Sequence, residues 1–153
     1  MLRADLLALV PAFQEAPRIE AVVRAAAAHL PVVVVDDGST DGTADVAEAS
    51  GATVIRQRPN QGKGAALRAG FREALGRGCA AVVTLDADLT YPADSIPDLL
   101  RPLEEGRADF VSGERMSRLS PAAMTGMHRL GNTILNLAFR ILCRSLGGVG
   151  LAS

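Results

Sequence analysis

Short apolar runs alternate with longer stretches of helical spacing along the first two thirds of the chain. "DLLALV" (5–10) is an unbroken apolar run, which predicts a short buried strand ended by Pro11. In "APRIEAVVRAAAAHL", Ile19, Val22, Val23, Ala26, Ala27 and Leu30 recur at helical spacing, with Pro17 near the start and Pro31 as the stop. "VVVV" (32–35) predicts a second buried strand; "DGSTDGT" is a turn with capping residues, and "ADVAEAS" a short helix closed by Gly51. "ATVIR" reads as a third strand, "GAALRAGFREAL" as a helix closed by Gly76 and Gly78, and "AAVVTL" (80–85) as a fourth strand. A helix around "SIPDLLRPLEEG", a fifth strand "ADFVSG" and one long terminal helix from "HRLGNTILNLAFRILCRSL" complete the order.

Strands separated by helices of this length predict βαβ units, a parallel sheet and right-handed crossovers, an α/β fold with helices flanking a Rossmann-like sheet. Loops at the carboxyl ends of such strands gather along one edge and form the ligand site. Five polar clusters fall at those ends: "PAFQEA", "DDGSTDGT", "RPNQGKG", "LDADLT" and "SGER". One or two could fall there by chance; five in a row predict a site.

Composition sharpens this picture. The 153 residues are 48% hydrophobic but only 3% aromatic, so Ala, Val and Leu carry the core, as suits helices packed on a buried sheet. A net charge of −1 gives no nucleic-acid signal. Lys63 is the only lysine; every other side chain with a permanent positive charge is arginine. Cys79 and Cys143 lack metal-type spacing and follow no secretory signal, so both read as reduced core thiols of a cytoplasmic protein. No run reaches the roughly 18 to 20 apolar residues of a membrane span, since Arg140 and Arg144 interrupt "ILNLAFRILCRSL".

Each cluster has a bland and a functional reading. In "PAFQEA", Glu15 is either a helix-start charge favoured by the dipole or an acceptor for sugar or base groups beside a wall of Pro11 and Phe13. In "VVVVDDGS", capping explains one of Asp36 and Asp37; the second resembles the carboxylate that takes ribose hydroxyls or a base N–H in nucleotide-binding βα units. "NQGKG" is not a P-loop, because Gln57 and Gly64 stand where Gly and Ser or Thr are required, and Leu67 breaks the dinucleotide pattern. Gly62 and Gly64 still permit close backbone approach, and Lys63 is either a phosphate contact or a solvated helix-start lysine. Arg115 in "SGER" is a fixed charge able to grip phosphate bidentately, or an ordinary surface arginine. The terminal helix carries a broad apolar face with Asn136, Arg140 and Arg144 on another, which fits core packing or a partner helix; peripheral contact with an anionic membrane is the alternative.

"LDADLTYP" is the sharpest signal. Mg²⁺ and Mn²⁺ take hard oxygen ligands and keep substrate phosphates in their shell, so one or two carboxylates at a rigid strand end suit them. Solvated strand-end aspartates are the bland alternative. Haloacid-dehalogenase-type phosphatases also show a strand followed by Asp-x-Asp-x-Thr, which Asp86, Asp88 and Thr90 fit, and "DFVSG" imitates their Ser-bearing strand. That resemblance implies a later basic residue and a further acidic pair; Lys63 lies upstream, no suitable pair follows, and three predicted strands precede the motif.

Together "VPAFQEA", "VVVVDDGSTDGT", "NQGKGAALRAGF", "LDADLTYP" and "SGER" resemble the family 2 glycosyltransferases, closest to the dolichyl- and polyprenyl-phosphate mannosyl- or glucosyltransferase branch. The resemblance covers nearly the whole chain. It implies the GT-A fold, a nucleoside-diphosphate sugar of the GDP-mannose or UDP-glucose type, a Mg²⁺ or Mn²⁺ ion, and an inverting transfer to a polyprenyl phosphate in cell-envelope glycan synthesis. Matched motif by motif, Pro11, Phe13 and Glu15 line the donor nucleotide, and Val35 and Asp37 meet its base or ribose. Asp86 and Asp88 hold metal and diphosphate, Ala87 adds a backbone contact, and Arg115 meets donor phosphate. Thr90 stands where members often have Gln, and offers the metal a shorter oxygen ligand. Residues 1–115 would form the nucleotide-sugar and metal part of a single domain, and 116–153 the start of the acceptor part. Members continue into a Ser-Gly-Phe-Arg-like segment where this sequence reads "GGVGLAS", so the chain is expected to be C-terminally truncated. A nucleotide-sugar-binding fragment without transfer activity is the rival expectation.

Overall fold

The computed structural model describes residues 5–89 and 92–113. By internal packing the chain divides into two compact units, Met1–Pro97 and Asp98–Ser153. The first unit carries four strands, β1 (Leu6–Ala12), β2 (Val32–Asp36), β3 (Thr53–Arg56) and β4 (Ala81–Thr84), with α1 (Ala16–Ala27), α2 (Thr43–Ala49) and α3 (Lys63–Gly76) between them. A 3₁₀ turn at Ala93–Ser95 leads into α4 (Ile96–Glu104), which fills the expected "SIPDLLRPLEEG" position.

All strand pairs are parallel and the order is β3-β2-β1-β4. Every residue of β2 is buried, as an apolar run between two covered faces requires. On one face Leu7, Leu9, Val33 and Val35 pack with Ala66 and Ala74 of α3. A Cβ at Gly70 would lie 2.1 Å from Leu9 Cδ1, so α3 rests directly on β1 only because residue 70 has no side chain. Strand residues of the other parity point to the opposite face. Right-handed crossovers bring α1 and α2 there, packed on one another, with Ile19, Val22, Val23 and Ala26 of α1 buried.

Two elements depart from expectation. β1 runs through Pro11 instead of stopping at it, with Pro11 in register with Val35. Leu9 accepts from the Leu85 N–H and Ala12 from the Asp37 N–H. Pro11, of Leu9's parity, therefore turns its missing donor toward β4, and the β1–β4 ladder ends there, the Leu85 N–H bond to Leu9 being its last. The expected fifth strand is reduced to an isolated bridge at Val111. Only Phe110 and Val111 are bulky and apolar in that segment, and Phe110 is 54% exposed, so the segment buries too little to specify a strand.

Candidate functional site

The strand order reverses at β1. Going from β1 to β3 the sheet grows one way, and β4 is then laid on the other side of β1. Such a switch point leaves a crevice outside the carboxyl ends of the two strands. The loops that leave β1 and β4 there are "FQEA" and "LDAD".

The first loop is held by the "DGSTDGT" turn. The Gln14 N–H donates to Ser39 Oγ at 2.9 Å, the Glu15 N–H to Thr43 Oγ1 at 2.9 Å, and the Ala16 N–H to Asp41 Oδ2 at 3.0 Å. Gln14 Nε2 adds a bond to Thr40 Oγ1. Glu15 is the N-cap residue of α1, and its own side chain makes no cap bond. The capping of α1 therefore comes from a loop 25 to 28 residues away. Asp41 also accepts from the Thr43 N–H and, at 2.5 Å, from the Thr43 hydroxyl, so it ties the start of α2 to the start of α1.

Burial pushes the Asp41 carboxyl up, but hydrogen bonds from the Thr43 hydroxyl and from the Ala16 and Thr43 amides outweigh it and hold the group below its ordinary value. Because the folded value lies under the unfolded one, this stabilisation is complete above the unfolded value near 3.8 and is lost as pH falls through the folded value. Asp41→Ala is expected to cost about 1 kcal/mol at neutral pH, with the gap to wild type narrowing below about pH 4. Urea denaturation of both proteins between pH 7 and pH 3 measures this; a constant gap would refute it.

The third loop is held by Asp37. This side chain is 3% exposed, and its two oxygens accept from the Gln61 N–H at 2.8 Å and the Gly62 N–H at 2.7 Å. Gly38 lets the loops close on each other: its φ is +82°, and a Cβ there would lie 2.8 Å from the Asn60 amide nitrogen. Gly62 is the N-cap of α3, so the Asp37 grip fixes where Lys63, the first helical residue, begins.

Lys63 Nζ lies 2.5 Å from Asp86 Oδ1, the two side chains being 62% and 25% exposed. Asp88 lies on the exposed side of the same loop. Arg18 donates to Glu15 Oε2 at 2.6 Å. The hydrogen bond to Glu15 and Glu15's charge hold the Arg18 guanidinium above its ordinary value, with a smaller contribution from Asp88. Asp88 of the fourth loop thus lies within electrostatic range of Arg18, acting more weakly than Glu15, which pairs with it directly. A largely apolar cavity of about 180 Å³, lined by Val22, Leu85, Leu89 and Ala93, opens beside Asp86.

Backbone strain falls in the same two loops. Gln14 (φ 57°) and Leu89 (φ 63°) are the non-glycine residues with positive φ among those described, and each directly follows or precedes a candidate side chain. Leucine in that region costs on the order of 1–2 kcal/mol, and such outliers cluster where ligands are held.

Among the described residues no three His, Cys, Asp or Glu side chains gather as a metal cage. The donor set is two carboxylates in one loop, which suits Mg²⁺ or Mn²⁺ completed by substrate phosphates and water and does not suit an all-protein cage. Of the sequence-predicted residues, Pro11, Phe13, Glu15, Asp86, Ala87 and Asp88 sit at the β1/β4 crevice, with Phe13 48% exposed and Ala87 buried. Asp37 and Lys63 reach it through the third loop. Val35 is fully buried with its side chain in the α3-facing core. Thr90, Arg115, Cys143 and the terminal helix lie outside the described residues. Arg18 was not singled out from the sequence; its position three residues after Glu15 in the first turn of α1 was the available signal.

The sequence model described as glycosyl transferase family 2 matches residues 8–142. Glycosyltransferase AglJ of Haloferax volcanii is 42% identical over 111 residues, covering 72% of this chain and 35% of that protein. The dolichyl-phosphate hexose transferase of the same organism is 39% identical over 116 residues, covering 76% and 46%. Among solved structures, glucosyl-3-phosphoglycerate synthase from Mycobacterium tuberculosis, in complex with Mn²⁺, uridine diphosphate and glucosyl-3-phosphoglycerate, superposes with a TM-score of 0.54 at 28% identity, covering 74% of this chain and 46% of that one. The chain thus spans between a third and a half of the length of these proteins. Its parallel sheet and flanking helices are the GT-A fold expected from the motifs, and with the match running over most of its length the chain belongs to glycosyl transferase family 2.

Proposed function

We propose that this chain acts as a metal-dependent, inverting hexosyltransferase that uses a nucleoside-diphosphate sugar and a polyprenyl-phosphate acceptor. The observation that carries the reading is the placing of Asp86 and Asp88 at the carboxyl end of β4, against the strained β1 loop at the topological switch point. Asp86 and Asp88, with Thr90 beyond them, would hold Mg²⁺ or Mn²⁺. Bound there, the ion supplies Lewis-acid stabilisation of the charge that builds on the departing diphosphate.

The side chains of the chain do the rest. Lys63 starts α3 with its ammonium beside Asp86, and would meet a diphosphate held near that carboxylate through the metal ion. Pro11, Phe13 and Glu15 offer a wall and a carboxylate to the nucleotide, and Arg18 keeps Glu15 oriented. Asp37 serves the nucleotide site by fixing the loop at Gln61 and Gly62; a direct contact with base or ribose is assigned to it from the family motif. Arg115 is assigned to donor phosphate. A phosphate acceptor is already an anionic nucleophile, so positioning suffices and no base is needed. The apolar cavity beside Asp86 and the names of the relatives support a lipid-linked phosphate as that acceptor. Such an acceptor sets the protein at the cytoplasmic membrane face; no described helix is long and apolar enough to cross a membrane.

The test is to incubate the chain with Mn²⁺, a panel of UDP- and GDP-sugars and a polyprenyl phosphate. Polyprenyl-phosphate-linked sugar, with release of nucleoside diphosphate, is the expected result. Saturable donor binding without product would leave a nucleotide-sugar-binding fragment, and release of phosphate from simple phosphomonoesters would replace the reading with a phosphatase.

A further inference from the structure

We propose that Lys63 is a built-in competitor for the metal position at Asp86, which makes tight cation binding conditional on the arrival of the diphosphate. The inference rests on the donor site proposed above and concerns this chain's own side chains toward it.

Three observations converge on it. Lys63 opens α3, where a positive charge opposes the helix dipole and is disfavoured. Something must offset that, and the contact at 2.5 Å with Asp86 does. The lysine is also held in place from behind, because the Asp37 carboxylate fixes the amides of Gln61 and Gly62 immediately before it. Finally, it is the only lysine in a chain otherwise furnished with arginine. A compact ammonium on a flexible four-carbon stem can leave one anion for another, whereas a guanidinium fork holds a carboxylate through two bonds.

The consequence follows from linkage. While the ammonium sits on Asp86, a divalent ion must displace it, and the apparent affinity for the ion alone is reduced by the fraction of time the carboxylate is occupied. A diphosphate delivered with the ion gives the displaced ammonium a new anionic partner within reach of the start of α3. Ion and nucleotide therefore favour each other, and the coupling is reciprocal.

The experiment measures Mn²⁺ binding to the chain by electron paramagnetic resonance of the free ion, alone and with saturating UDP or GDP. Wild type, Lys63→Met and Lys63→Arg are compared, with no turnover required. An exposed ion pair of this kind predicts that Lys63→Met binds Mn²⁺ alone about three- to fivefold more tightly than wild type. Lys63→Arg is expected to bind it no more tightly than wild type. The enhancement of Mn²⁺ affinity by the nucleotide should fall about tenfold in Lys63→Met. If Lys63→Met binds Mn²⁺ alone no better than wild type, while wild type still binds Mn²⁺ with nucleotide through Asp88, the competitor role fails and the donor site stands. Absence of Mn²⁺ binding to wild type under either condition overturns both.

Discussion

Asp88→Asn is expected to lower Mn²⁺-dependent binding of a nucleoside-diphosphate sugar by at least about a hundredfold, with the fold unchanged. Even residues that only orient metal ligands are typically worth ten- to a hundredfold, so loss of a direct ligand should exceed that. Asp88 lies on the exposed side of its loop, and exposed substitutions away from packing usually shift stability by under about 0.5 kcal/mol. Calorimetric titration of donor with and without Mn²⁺, beside a thermal melt by circular dichroism, separates the two effects. Asp86→Asn should give a similar loss with one added feature. It frees Lys63 from its ion pair at 2.5 Å, so residual metal-independent donor binding should be stronger than in Asp88→Asn. Donor binding that remains stimulated by Mn²⁺ in Asp88→Asn would remove that carboxylate from the metal shell.

The sheet was legible because parallel strands covered on both faces leave unbroken apolar runs: "VVVV" is read as a strand and every residue of it is buried. The punctuation was equally direct at Gly51 and Gly78, whose positive φ values mark the ends of α2 and α3. What local patterns could not show depends on distant partners. Pro11 reads as a strand end, since which neighbouring strand its missing donor faces is decided by the register with β2 and β4. "ADFVSG" looks like a strand from composition, but burial was required to make it one. "DGSTDGT" reads as a cap for the helix that follows it, and Asp41 does serve that helix. Ser39, Thr40 and Thr43 instead take donors from Gln14 and Glu15, across the sheet edge. The pairing of Lys63 with Asp86 spans 23 residues and leaves no periodic trace. Polar clusters at strand ends locate a site; the contacts that organise it are long-range side-chain bonds.

Asp37 shows how that distinction can be measured, and its removal should have the largest effect on stability. Its carboxylate is almost fully buried and receives two amide donors at 2.8 and 2.7 Å, both from the loop that starts α3. Hydrogen bonds to a charged group are worth about 1.5–3 kcal/mol each, less where the freed donor regains water. Asp37→Ala is therefore expected to cost about 2–4 kcal/mol in urea denaturation without any ligand. Asp37→Asn keeps the shape but turns an N–H₂ toward one of the two amides, and should lose about 1–2 kcal/mol. Amide exchange at Gln61 and Gly62 should accelerate in both variants, because those two donors lose their partner first. A carboxylate serving only a nucleobase would behave in the opposite way: Asp37→Asn would keep full ligand-free stability and unchanged exchange while losing donor affinity. Stability loss without ligand, with faster exchange confined to residues 60–63, identifies Asp37 as the brace that holds Lys63 against Asp86 before any donor arrives.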